Sequence, residues 1–236
     1  MTTPALQGKR ALVTGGNKGI GFVICQGLLA QGFEVILAAR SLDKAKTAIE
    51  QLKSSNARPI ELDISDDHSI QSAAKNLSQE IDCLDVLINN AGIYPDQGVN
   101  ILTISRELLN QTMNVNAFGA IRVTQAFLPL LTKSSHARVI NTSSGLGELA
   151  GLSADIPSYC LSKLTLNGAT IMLAEALQDK GIVVNAFDPG WVKTDMGGSG
   201  APRTPEQGAD TAVWLATAQP ASLSGKLFHD RLEVSY

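Results

Sequence analysis

The chain has 236 residues, 44% of them apolar, with a formal charge of -3 and an isoelectric point near 5.6. That length suits one sizeable α/β domain, and no Pro/Ser-rich linker or shift of composition divides it. The slightly acidic balance gives no broad attraction for nucleic acid or an anionic membrane, so the expected partner is a small molecule.

In chain order, six short runs read as strands, at 10–14, 34–39, 58–62, 84–89, 138–142 and 182–187, with helical stretches between them. Such alternation builds a parallel sheet. Runs such as ALVT, VLIN and IVVNAF are apolar on both faces, as strands are when helices cover each side of the sheet. The predicted fold class is α/β, a doubly wound parallel sheet in a single domain over 1–236, without internal repeats.

The first strand runs into Thr14-Gly15-Gly16-Asn17-Lys18-Gly19-Ile20-Gly21, where a helix begins. Glycine permits the sharp turn, and the helix N-terminus offers unpaired N–H groups to a pyrophosphate. A Rossmann-type dinucleotide site follows, although the glycine spacing differs from GxGxxG. After the second strand, EVILAA, stand Arg40 and Ser41, with the nearest acid, Asp43, further on. An acid at that edge binds a ribose 2′-hydroxyl and a base accommodates a 2′-phosphate, so NADPH/NADP+ is expected in preference to NADH. Asp63, after the third strand, either borders the same edge or caps the next helix. Asn89-Asn90-Ala91-Gly92 ends the fourth strand, and ligands of open parallel sheets bind beyond such carboxyl ends.

The helical stretches 115–131 and 159–177 are apolar around their circumference and need cover on more than one side. The sheet supplies one cover, and a second subunit or the chain's own loops supply the other. Between them, Ser143 and Ser144 follow the strand RVINT, where a hydroxyl can hydrogen-bond a substrate oxygen. No histidine accompanies them in a triad arrangement, so serine-hydrolase chemistry is the poorer reading. Tyr159 and Lys163 stand at i and i+4, on one helix face. A neighbouring ammonium favours phenolate and is expected to draw the tyrosine pKa down from about 10, making a usable acid or base. Residues 194–204, TDMGGSGAPRT, read as a lid over a site or as an ordinary connection.

Met1–Gly8 lacks the basic start and apolar run of a secretory leader, and no segment reaches the roughly 20 apolar residues of a bilayer span. A soluble, cytoplasmic protein is therefore expected. Cys25, Cys83 and Cys160 form no CxxC pair and His68, His136 and His229 no ligand cluster, so neither a metal site nor a disulfide is expected.

Together these segments resemble the short-chain dehydrogenase/reductase family, in its compact single-domain branch, over about 8–226. The family's TGxxxGxG corresponds to Thr14 through Gly21, its NNAG to Asn89 through Gly92, its YxxxK to Tyr159 through Lys163 and its PG to Pro189-Gly190. TGGNKGIG, LDI, PGWVKTDM and the ending GKLFHDR look most like the carbonyl-reductase-like members. The resemblance implies a catalytic tetrad of Asn116, Ser144, Tyr159 and Lys163, with Asn116 holding a proton-relay water near the lysine. Ser144 is favoured as the second serine of the pair, although the spacing to Tyr159 is about two residues longer than the common pattern.

Implied cofactor contacts are Gly15, Asn17, Lys18, Gly19 and Ile20 in the glycine turn, Arg40, Asp63 and Ile64 after the next strands, and Asn90, Ala91 and Gly92. Tyr159 and Lys163 join them, as do Pro189, Gly190, Val192 and Thr194. Lys18 is implied to add a second positive charge at the adenosine ribose. Ile93, Tyr94, 153–156, Trp191 and 196–202 are expected to border an apolar or aromatic substrate. The expected activity is NADPH-dependent reduction of a ketone or aldehyde, or the reverse. A non-catalytic nucleotide-binding regulator and a lyase or epimerase on the same fold stay as alternatives. The chain lacks the long insertion that some carbonyl reductases carry before the tyrosine, which by resemblance favours a homodimer or homotetramer through 115–131 and 159–177.

Overall fold

A computed structural model describes residues 6–217 and 222–236, so the first five residues of the Met1–Gly8 segment lie outside it. One sheet organises them. Its strands are β1 (Arg10–Thr14), β2 (Glu34–Ala39), β3 (Ala57–Glu61), β4 (Val86–Asn89), β5 (Arg138–Thr142), β6 (Val183–Phe187), β7 (Leu227–His229) and β8 (Leu232–Val234), in spatial order β3-β2-β1-β4-β5-β6-β7-β8. All neighbours run parallel except β7 and β8. The chain steps outward from β1 to β3, then returns to place β4 on the other side of β1, and this reversal opens a crevice between the ends of β1 and β4.

β5 and β6 are buried at every position, including their polar residues Asn141 and Asn185, as strands covered by helices on both faces are. On one face lie α1 (Gly19–Ala30), α2 (Leu42–Leu52) and α7 (Pro205–Thr217), packed through Ile24, Leu28, Ala45 and Leu215. On the other lie α3 (Asp67–Ser78), α5 (Gly119–Leu131) and α6 (Pro157–Leu177), packed through Ile70, Phe127 and Leu177. The doubly wound parallel sheet expected from the sequence is the observed fold. β7 and β8 escaped that reading because each has three residues, and β8 is largely exposed.

The stretch expected at 115–131 is part of a longer helical run. α4 (Arg106–Met113) passes through a π-helical segment, Asn114–Phe118, into α5. At the opposite rim, the amino ends of the strands are tied by Asp85, which accepts from Arg10 N (2.8 Å), Ser134 Oγ (2.6 Å) and Lys9 Nζ (3.4 Å).

Candidate active site

A cleft of about 1610 Å³ opens at the carboxyl ends of the strands. Its floor is the turn after β1. Gly15 and Gly19 have φ of +64° and +57°, the left-handed region that glycine alone adopts without strain. A Cβ on Gly15 would stand 3.0 Å from Ala91 Cα, and one on Gly21 would collide with the Gly15 carbonyl and Asn90 Nδ2. The backbone of the turn therefore lies bare against the NNAG segment. α1 has no side-chain cap and no acid in its first turn, unlike α3, capped by Asp66, and α4, capped by Ser105. Its first N–H groups are left for an anion. A dinucleotide pyrophosphate fits this cradle.

The wall beside the turn is laced to it. Thr14 Oγ1 accepts from Asn90 N (2.9 Å) and Ala91 N (3.0 Å), and Asn90 Nδ2 donates to the Thr14 carbonyl at 3.0 Å. Asp63 also lines the cleft and does not cap α3; its Oδ1 accepts from Ser65 N (2.9 Å) and Ser65 Oγ (2.7 Å). Each residue implied as a cofactor contact lines this cleft, from Gly15 to Thr194, Arg40 and Ile64 included.

Ser144, Tyr159 and Lys163 meet at the inner end of the cleft. Ser144 follows β5 in an extended conformation, and its side chain is near enough to the Tyr159 hydroxyl to act on its pKa. The Lys163 ammonium lies 5.6 Å from the Tyr159 ring centroid and donates to the Thr142 carbonyl at 2.7 Å. Burial draws Lys163 down to about 8, against the pull of the nearby Asp188 carboxylate, which favours the charged form. The expected lowering of the tyrosine is overturned. Burial pushes the phenol above its ordinary value, Asp188 adds to the rise, and the Ser144 side chain opposes it. Desolvation of the buried hydroxyl is the largest influence on Tyr159, although the neighbouring lysine is still largely protonated at neutral pH.

The two adjacent serines are separated by their surroundings. Ser143 is 1% exposed and its hydroxyl is spent on Asn167 Oδ1, whereas Ser144 faces Tyr159. Asn116 does not line the cleft. It sits in the π segment behind the wall, accepting from Ile93 N (2.8 Å) and donating to Ile93 O (2.9 Å) and Ser162 Oγ (3.0 Å). Both amide N–H groups are used, and one oxygen lone pair is left.

The family model for short chain dehydrogenases matches residues 9–204. The chain belongs to the short-chain dehydrogenase family. This short-chain dehydrogenase is 36% identical to short-chain dehydrogenase anuI of Penicillium roqueforti, over 93% of each chain. It is 34% identical to carbonyl reductase (NADPH) 1 of Bos taurus, over 87% of this chain and 90% of that one. Among solved structures, an NADPH-bound carbonyl reductase from chicken fatty liver superposes with a TM-score of 0.90 at 28% identity, covering 98% of this chain and 100% of that one.

In the part of the short-chain dehydrogenase's cleft next to β2, Arg40 is exposed beyond the strand. Lys18 is exposed too, but its Nζ is paired with Asp195 Oδ2 at 2.7 Å. Of residues 194–204, Thr194 through Gly197 line the cleft and 198–204 do not. Its base is pinned where Lys193 N donates to Arg203 O (2.9 Å) and the Arg203 guanidinium forks onto Asp230. Of the expected substrate border, Ile93, Tyr94, Asp155, Ile156, Trp191, Met196 and Gly197 line the cleft, while Ser153, Ala154 and 198–202 do not.

Sequence reasoning missed Asp188, held by Gly190 N at 2.9 Å, although its place directly before Pro189-Gly190 was a usable clue. It also missed Gln111, which α4 brings to the cleft from a stretch without a motif.

Proposed function

We propose that this short-chain dehydrogenase interconverts a carbonyl compound and its alcohol with NADPH/NADP+, with Tyr159 as the proton donor in reduction. The convergence of Ser144, Tyr159 and Lys163 at the inner end of a cleft floored by the glycine cradle carries the reading. The names of the bovine and chicken relatives support carbonyl reduction and NADPH.

NADPH, when bound, supplies the hydride. Gly15, Asn17, Gly19 and Ile20 hold the pyrophosphate on the N-terminus of α1, with Lys18 and Arg40 providing positive charge toward the adenosine 2′-phosphate. Asp63 and Ile64 border the adenine. Asn90, Ala91, Gly92, Pro189, Gly190, Val192 and Thr194 line the path to the inner end. There the Ser144 and Tyr159 hydroxyls hold the substrate oxygen, and the Tyr159 proton passes to it as the carbonyl becomes an alkoxide. The phenol, raised by burial, keeps its proton at neutral pH, and the more basic alkoxide formed by hydride addition is what draws the proton off. Lys163 stabilises the phenolate that results, and Asn116 positions the wall beside it through Ile93. The apolar border of Ile93, Tyr94, Ile156, Trp191 and Met196 suits an apolar or aromatic substituent. The segment from Thr194 to Gly197 acts as the lid, and the protein works as a cytoplasmic homodimer or homotetramer.

Loss of NADPH absorbance with a panel of ketones and aldehydes tests the reading. Turnover is expected on at least one, and Tyr159→Phe is expected to retain less than about a tenth of it with NADPH affinity unchanged. NADPH binding without turnover on any substrate would instead support a non-catalytic regulator.

A further inference from the structure

We propose that Asn167 is a positioning residue that aims Ser144 at Tyr159. The inference rests on the catalytic reading of Ser144 above. Tyr159, Lys163 and Asn167 stand at i, i+4 and i+8 of α6, so one stripe of the helix faces the turn after β5. Asn167 is 1% exposed and both ends of its amide are engaged with that turn. Oδ1 accepts from Ser143 Oγ at 2.5 Å, and Nδ2 donates to the Gly147 carbonyl at 3.0 Å. The two grips fall on the residue before Ser144 and on the third residue after it. Between them the turn closes on itself: Gly147 N donates to Ser144 O (2.9 Å) and Leu146 N to Ser144 Oγ (3.2 Å). The turn also rests directly on the helix, since a Cβ on Gly147 would lie 2.7 Å from the Lys163 carbonyl carbon.

The serine and the tyrosine thus come from different elements, and one amide from the tyrosine's own helix sets the serine's register against it. Without that amide, the Ser143 hydroxyl and the Gly147 carbonyl lose a buried partner and the turn is free to shift. Hydride-transfer geometry is sensitive to displacements of about 1 Å, which can cost about a hundredfold in rate.

The test is a double-mutant cycle read by single-turnover NADPH fluorescence decay, which stays measurable in slow variants. Asn167→Ala is expected to slow hydride transfer at least about tenfold in the Ser144 background and less than about twofold in the Ser144→Ala background, with NADPH affinity unchanged in both. An equal loss in the two backgrounds, or none in either, overturns the inference. Ser144→Ala at the wild-type rate would instead refute the catalytic reading of the serine. Should Asn167→Ala fail to fold, Ser143→Ala removes one grip at almost constant volume and runs through the same cycle with the same criteria.

Discussion

Lys18 Nζ stands 2.7 Å from Asp195 Oδ2, so an ion pair ties the glycine-rich turn to the segment after Val192, both lining the cleft. The lysine proposed to meet the coenzyme's 2′-phosphate already has an anionic neighbour, Asp195, whose carboxyl it holds below its usual range through their hydrogen bond. Asp195→Asn is expected to tighten NADPH binding about two- to fivefold and to leave NADH unchanged, the modest size reflecting an exposed pair. Fluorescence titration with both coenzymes checks it; equal changes for the two would remove Lys18 from the phosphate site.

Arg40 is the second cation at that end, exposed at the carboxyl edge of β2 where a dinucleotide fold discriminates between coenzymes. A charge-assisted hydrogen bond is worth roughly 1.5–3 kcal/mol. Arg40→Asp is therefore expected to lower kcat/KM with NADPH by more than about tenfold and to narrow or invert the preference over NADH. Unchanged efficiency with NADPH would show that the guanidinium stays in solvent.

Lys163 is held near 8 by burial, below an ordinary lysine, so the folded state binds its proton less tightly than the unfolded chain. The sign follows directly. Below about 8 both states are protonated and the full cost is present; it is relieved as pH rises from about 8 toward the unfolded value of about 10.4. Lys163→Met is expected to raise Tm by a few degrees at pH 7, the gain shrinking across that window, while turnover is lost. A constant Tm difference at all pH values would contradict the depressed lysine.

Phe118 beside α5, and Leu161, Ile171 and Met172 on α6, remain exposed, Met172 at 70%. A second copy of the chain is the proposed cover. Light scattering at micromolar concentration is expected to give a dimer or tetramer, and Ile171→Asp/Met172→Asp a monomer. A 24.9 kDa wild-type species would refute this assembly.

The sheet was legible because its central strands are short, apolar on both faces and evenly spaced by helices, as ALVT and VLIN illustrate. The pairing of Tyr159 with Lys163 was legible for the same reason, since helix periodicity alone places them together. What the sequence concealed depends on packing between distant segments. Lys18 and Asp195 are 177 residues apart. The direction of the Tyr159 shift is decided by desolvation, which no spacing encodes. Asn116 matches its motif, yet the π turn sets it behind the cleft wall, and only the fold separates the inward Ser143 from the cleft-facing Ser144.

Ser144, Tyr159 and Lys163 line the cleft beyond the carboxyl ends of the strands, while Asp85 gathers Lys9, Arg10 and Ser134 at the other rim. The molecule has a working edge and a handle. The connection from Lys53 to Asn56, which enters β3 from its amino end, is a place to graft a tether or a fluorescent label. Immobilised there, the protein would present its open cleft away from the support.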